Sequence, residues 1–274
     1  MSRSTAGKIK INTFADLCGV SGESVVRIAI NELWDFKDHP FHVCDDEEME
    51  KLAKSIEESD ILVPLTVRAR ESGGYEIISG HRRKHAALKA GKKDVPAVIK
   101  NISDDEAVIA MVDSNIQREE ILPSERAFSF KMKMDAMRHQ GSCRHDVAKL
   151  SPVERKTATI VGEGSGMTGR TVQRYIKLTE LLPELLEMVD RKEISFVNGV
   201  DIAYFGKEVQ SYLLEYIHKN GRIDPVQIAA LKEQGNLENL TPYMVMTIMK
   251  EALSKKSKPK RSEERRVGKE CRSR

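Results

Sequence analysis

The residues best suited to chemistry lie in the stretch 75–90, YEIISGHRRKHAALKA. Tyr75 to Ile78 alternates and is β-rich, which predicts a short buried strand, and residues 82–90 form a good helix-making run stopped by Gly91. Between them Ser79 and Gly80 break the pattern, and His81, Arg82, Arg83 and Lys84 fill the first helical turn. A strand that feeds a glycine turn into a helix start leaves backbone N–H groups without acceptors at the positive end of the helix dipole. The cations beside them complete a cradle for phosphate. Cations are locally unfavourable at a helix N-terminus, so their presence there anticipates an anion. A solvated basic helix accounts for the same spacing.

A second candidate follows the glycine-rich segment GEGSG at 162–166. Ser151-Pro152 with Glu154 reads as a capping box that opens a helix reaching about Val161, and Thr168 opens the next helix, TGRTVQRYIKLTEL. Val172, Tyr175, Ile176 and Leu178 share one face of it, leaving Arg170, Thr171, Gln173, Arg174 and Lys177 on the other. Two helices joined by a short glycine turn, the second basic at its start, give the helix-turn-helix pattern of duplex DNA readers. Arginine and glutamine match guanine and adenine edges, whereas Lys177, Arg155 and Lys156 suit phosphates. A bundle helix with a solvated face has the same pattern.

Other chemistry is poorly supported. His139, Cys143 and His145 have loosely ligand-like spacing, as do His39, His42 and Cys44, but neither set offers four zinc ligands. No G-x-S-x-G or C-x-x-C motif occurs. The four scattered cysteines fit a reducing cytoplasm, and no apolar run approaches the roughly 20 residues of a membrane span. An aromatic content of 5% argues against stacking on single-stranded nucleic acid.

The elements that must position these residues are legible from their punctuation. Met49, Leu52, Ala53 and Ile56 predict an amphipathic helix over 45–59. Strands are predicted at 65–69, 75–79 and 95–99, the first two joined by the turn at 71–74. Ser103 and Glu106 form a capping box, and Pro123 opens a helix with Ala127, Phe130, Met134 and Met137 on one stripe. Pro183, Pro225 and Pro242 mark later helix starts, with stops at Asn220-Gly221 and Gly235-Asn236. Residues 1–33 read as a weakly patterned leader.

Charge is local rather than global. The net +3 comprises +7 in residues 255–274 and −4 in the rest. Residues 34–60 hold ten acids against three bases, whereas 138–178 hold eight bases against three acids. That polarity fits one nucleic-acid-binding segment. The final RSEERRVGKECRSR, 261–274, resembles the in-frame translation of a sequencing adapter and is set aside from fold reasoning.

SGHRRKHAALKAG followed by VPAVI resembles the nucleotide box of the ParB partition family, which has the form G-E-R-R-x-R-A. DHPFHV at 38–43 resembles the preceding box of plasmid and mobile-element members, and MVDSNIQREEILPSERAFSF at 111–130 resembles the third box and its helix. The resemblance implies an α+β chain: a small ParB/sulfiredoxin-like α/β domain over 34–118, an all-α helix-turn-helix domain over 119–205, a helical region over 206–254 and a basic tail over 255–274. It implies CTP as the nucleotide, held by Ser79, Gly80, His81, Arg82, Arg83, Asn115 and Arg118, with Asn115 also a ligand for Mg2+. His81 and Ser114 stand where the family has acids, which puts metal-dependent hydrolysis, and hence CTPase activity, in doubt. Asn115 reads equally well as a helix C-cap.

The function so implied is partition of a plasmid or mobile element. A homodimer would bind a centromere-like site in double-stranded DNA through Thr168, Arg170, Thr171, Gln173, Arg174 and Lys177. CTP would close the dimer as a clamp, and a ParA-type ATPase, contacted by the leader, would move the complex in the cytoplasm. Two alternatives use the same scaffold: a transcriptional regulator, and a nucleotide-using enzyme on the sulfiredoxin-like fold. Sulfiredoxin has a Cys where this chain has Gly80.

Overall fold

The computed structural model describes residues 24–118, 121–140, 152–234 and 240–257. Residues 1–23 of the leader 1–33 to which the ATPase contact is assigned, Cys143, His145, the capping Ser151, the stop at Gly235-Asn236 and the segment 261–274 lie outside the described residues. The chain divides into two compact units, Met1–Gln173 and Arg174–Arg274.

The first unit is built on a mixed sheet of five strands, β1 (Val25–Ala29), β2 (Leu33–Trp34), β3 (Leu65–Ala69), β4 (Tyr75–Ser79) and β5 (Asp94–Ile99). Their order is β1-β5-β3-β4-β2. β3 pairs antiparallel with β4 and parallel with β5, so one hairpin and one crossover build the centre of the sheet. The crossover carries α2 (His81–Lys89), which packs beside α1 (Glu47–Ser59). Met49 and Ile56 of α1 and Ala86 and Ala87 of α2 share one core with Leu65, Val67, Ile77, Val95 and Ala97 of the strands. The stripe read from residues 49–56 is therefore the buried face, and Asp46 caps α1 by accepting from the Met49 N–H at 2.8 Å.

β1 begins inside the stretch read as a leader. VVRIA is too short to announce itself as a strand. It is fixed by pairing Val26 with Ala97 and Ile28 with Val95, while Arg27 bridges Asp60 and Asp94 at 2.9 and 2.6 Å. The β3–β4 turn closes where expected, with Arg70 over the Trp34 ring at 4.8 Å.

After the sheet, α3 (Asp104–Asn115) starts at the Ser103–Glu106 capping box and packs on α4 (Pro123–Gln140). Ala127, Phe130 and Met134 are buried, and the buried Lys133 ammonium pairs with Asp113. α5 (Pro152–Glu163) precedes α6 (Gly169–Leu178), and the division between the units falls within α6.

The second unit continues with α7 (Pro183–Asp190), α8 (Phe196–Ile202), α9 (Lys207–Asn220), α10 (Pro225–Lys232) and α11 (Pro242–Ser257). Two buried glutamines join these helices. Gln210 accepts from the Leu182 N–H at 2.9 Å and donates to the carbonyls of Phe205 and Glu180. Gln227 donates to the Tyr216 hydroxyl at 2.8 Å and the Met249 carbonyl at 3.1 Å. The result is an α+β chain, a mixed sheet with helices followed by helices alone. Among the described residues no helix is long and apolar enough to cross a membrane.

Candidate functional site

β4 ends at Ser79, and Gly80 turns the chain into α2 with φ +112. A Cβ there would lie 2.8 Å from the Leu65 Cγ, so both conformation and space require glycine. The first intrahelical bond runs from the Lys84 N–H to the Gly80 carbonyl at 3.0 Å. The N–H groups of His81, Arg82 and Arg83 thus have no acceptor within the helix.

The side chains around this turn divide into two kinds. Arg83 folds back beneath it and donates to the carbonyls of Val63 and Pro64 at 2.5 and 2.7 Å. It has no carboxylate partner among the described residues, and burial, then the Arg118 charge, hold its pKa below the ordinary arginine value. Arg118 follows α3 and is exposed, and its pKa is lowered first by loss of water and then by Arg82. Three guanidinium groups that repel one another are thus gathered at a helix N-terminus.

Arg82 and the other cations of α2 are met by the acidic stretch that the composition singled out. Arg82 reaches Glu48 at 3.2 Å and Asp46 at 3.8 Å. Lys84 pairs with Asp35 at 2.8 Å, and His85 and Lys89 share Asp45 at 2.8 and 2.6 Å. The sequence signal for these partners was the density of acids over 34–60, but which cation each one meets is a tertiary fact.

His81 adds no positive charge to the cradle. It is buried, its Nε2 accepts from the Phe36 N–H at 3.5 Å, and its ring centroid lies 3.9 Å from that of His39. Burial first, and the neighbouring His39 second, push its pKa down to about 3. His39 donates from Nδ1 to the Phe41 carbonyl at 2.8 Å and is lowered by burial as well. The reading of His81 as part of a basic first turn is corrected accordingly: a stacked, neutral imidazole fills that place.

Magnesium takes oxygen donors, and the carboxylates nearest this turn, Asp35, Asp46 and Glu48, are each engaged by a cation of α2. Asn115 is 4% exposed, and its amide nitrogen donates to the Met111 carbonyl at 2.8 Å and the Ser114 Oγ at 3.2 Å. Ser114 donates to the same carbonyl at 2.9 Å. The C-cap-like reading of Asn115 accounts for these bonds. No group of three or more His, Cys, Asp or Glu suited to a metal occurs among the described residues, which include His39, His42 and Cys44. His42 instead donates its backbone N–H to Glu125 at 2.8 Å.

Around α6, Gly162 is required because a Cβ would sit 2.2 Å from the Met167 carbonyl oxygen. Gly169 lets the backbones of α5 and α6 approach, a Cβ there lying 2.9 Å from the Thr159 Oγ1. Thr168 caps α6 by accepting from the Thr171 N–H at 3.3 Å. Val172 and Leu178 are buried, while Tyr175 and Ile176 are only half-buried. Arg170 and Thr168 are exposed, and Thr171, Gln173, Arg174 and Lys177 are partly exposed along the same helix. The structure thus gathers Ser79, Gly80, Arg82, Arg83 and Arg118 near one turn, and places the expected DNA-reading residues together on one separate helix.

Similarity to known proteins bears on the family of the chain. The family description "ParB N-terminal domain" matches residues 18–116. Among solved structures, a C-terminally truncated ParB from Caulobacter crescentus complexed to the centromeric parS site is 20% identical, with a TM-score of 0.44 over 82% of this chain and 99% of that one. The same protein complexed with CTP-gamma-S is 25% identical, with a TM-score of 0.33 over 66% and 92%. By sequence, a nucleoid occlusion protein of Geobacillus sp. is 29% identical over 87% of this chain and 74% of its own length. The chromosome-partitioning protein Spo0J of Thermus thermophilus is 31% identical over 214 residues, 78% of this chain and 72% of the relative. A neutral-imidazole variant of the G-E-R-R box, on a sheet preceding a helical region, therefore sits in a chain that belongs to the ParB family of DNA-binding partition and nucleoid occlusion proteins.

Proposed function

We propose that this protein is a nucleotide-gated DNA clamp of a plasmid or integrated mobile element. The observation that carries the nucleotide half is the turn at Gly80. It has no room for a Cβ, three N–H groups point out of the helix start, and Arg82, Arg83 and Arg118 converge beside them. An incoming triphosphate would relieve the repulsion among these guanidinium groups, with its charge met by arginine. Membership of the family makes CTP the expected nucleotide. Ser79 and Gly80 shape the turn, Arg82 and Arg118 contact phosphate, and Arg83 and Asn115 hold the frame.

The DNA half rests on α6. Arg170, Gln173 and Arg174 read base edges, Lys177 meets phosphate, and Thr168 and Thr171 fix the start of the helix. The duplex site is two-fold symmetric and is bound by a homodimer, since paired half-sites reward paired recognition helices. Clamp closure requires CTP to favour the closed dimer by several kcal/mol over the open one. A ParA-type ATPase is the partner expected of the partition role, and a cytoplasmic site follows from it. Several relatives are named nucleoid occlusion proteins, and that role would use the same two sites with a different partner. Binding to the ParA-type ATPase of the same replicon separates the two.

Calorimetric titration of CTP, ATP and GTP into the full chain, with and without magnesium, tests the nucleotide half. Saturable binding of CTP above the others is expected; a protein that binds none of the three contradicts it.

A further inference from the structure

Resting on the DNA reading of α6, the geometry points to Phe196 and Tyr204 as positioning residues of the nucleic-acid interface, extending it beyond the recognition helix. The guanidinium of Arg174 lies over the Phe196 ring at 5.2 Å, and Phe196 also stacks on Tyr175 at a centroid distance of 4.5 Å. The ammonium of Lys177 lies over the Tyr204 ring at 4.5 Å and pairs with Glu180 at 2.5 Å. Two successive cations on α6 are therefore each laid on an aromatic face supplied by α8 and the turn after it.

Tyr204 stands outside the core. It is 63% exposed between Ala203 and Phe205, both buried, so its ring contributes little to the core. A long flexible side chain loses rotamer freedom when it grips a phosphate, and a ring that already holds it extended removes part of that loss before DNA arrives. The arrangement suits a backbone-tracking cation better than a stabilising contact, because an exposed cation–π pair adds little to folding. In an otherwise aromatic-poor chain, two of the few rings stand under the two cations nearest the C-terminal end of α6.

The test uses the full chain and a labelled duplex selected from a random pool by the wild-type protein, titrated at several salt concentrations. Tyr204→Ala should weaken binding about tenfold and reduce the salt dependence by about one phosphate contact, with an unchanged melting temperature. Tyr204→Phe, which keeps the ring, should bind as wild type. In a Lys177→Ala background Tyr204→Ala should cause no further loss, as expected for one coupled pair. Wild-type affinity in Tyr204→Ala overturns the inference, as does an undiminished loss in the Lys177→Ala background. Arg170→Ala serves as the control. If it loses discrimination while Tyr204→Ala changes nothing, only this inference fails; if it retains full discrimination, the DNA reading of α6 fails first.

Discussion

Two glycine turns in this chain lead into basic helices, and they surround their cations differently. Along α2, Arg82, Lys84, His85 and Lys89 are covered by Asp35, Asp45, Asp46 and Glu48. Along α6, Arg174 and Lys177 lie on aromatic rings, and Lys177 keeps a single acid, Glu180. Exposed ion pairs contribute only about 0–1 kcal/mol each, so the acidic cover of α2 is readily exchanged for a stronger anion. A compact triphosphate can thus take the place of internal carboxylates, whereas a repeating polyanion needs side chains already extended toward it. The same sequence signal serves two ligands of different shape.

The largest effect that separates the two turns is on pH dependence. His81 is neutral when folded, with a pKa pushed down to about 3 from an ordinary 6.5. The unfolded chain therefore binds a proton over that interval while the folded one does not, and stability falls as pH drops through it. The fall should approach roughly 1.4 kcal/mol per pH unit, as read from denaturant midpoints, and His81→Gln should flatten it. A flat profile in the wild type would remove the neutral imidazole from the α2 turn.

Next in size is the glycine itself. Gly80→Ala should destabilise by about 2–4 kcal/mol, from positive φ together with the Leu65 contact. Gly166, with φ +66 and nothing within 4 Å of its Cβ position, should lose only about 1 kcal/mol as Ala. Equal losses in urea denaturation would erase the distinction between a turn closed over its neighbours and an open one.

On ligand binding, Arg170→Ala should remove about 1–3 kcal/mol of discrimination between duplexes while leaving salt-sensitive general binding in place, as a competition footprint would show. The smallest effect falls on the internal acids. Glu48→Gln should change stability by less than about 1 kcal/mol yet tighten nucleotide binding, because it withdraws a competitor for Arg82. Weaker binding in that variant would show the carboxylate to be a support of the site.

Most of the framework was legible because its signals are local. The strands Leu65–Ala69 and Tyr75–Ser79 carry their own alternation, and Ser103 with Glu106 and the prolines at 123, 183, 225 and 242 announce helix starts within a few residues. What escaped depends on distant partners. β1 is a strand because it lies along β5, His81 is neutral because His39 and the backbone of Phe36 close over it, and Arg82 is paired because α1 begins nearby. In each case the decisive neighbour is more than thirty positions away, and no local pattern names it. The first helical turn reads as four cations or near-cations in sequence, but burial reduces it by one and ion pairing covers two more.

The central claim is that a triphosphate settles on the N–H groups of His81, Arg82 and Arg83. Backbone amide NMR of the full chain, followed as CTP is added, tests it most directly. The account predicts that the largest shifts fall on those three amides and on Gly80, with Arg118 following. Saturable binding that leaves the start of α2 unshifted, or no binding at all, would contradict it.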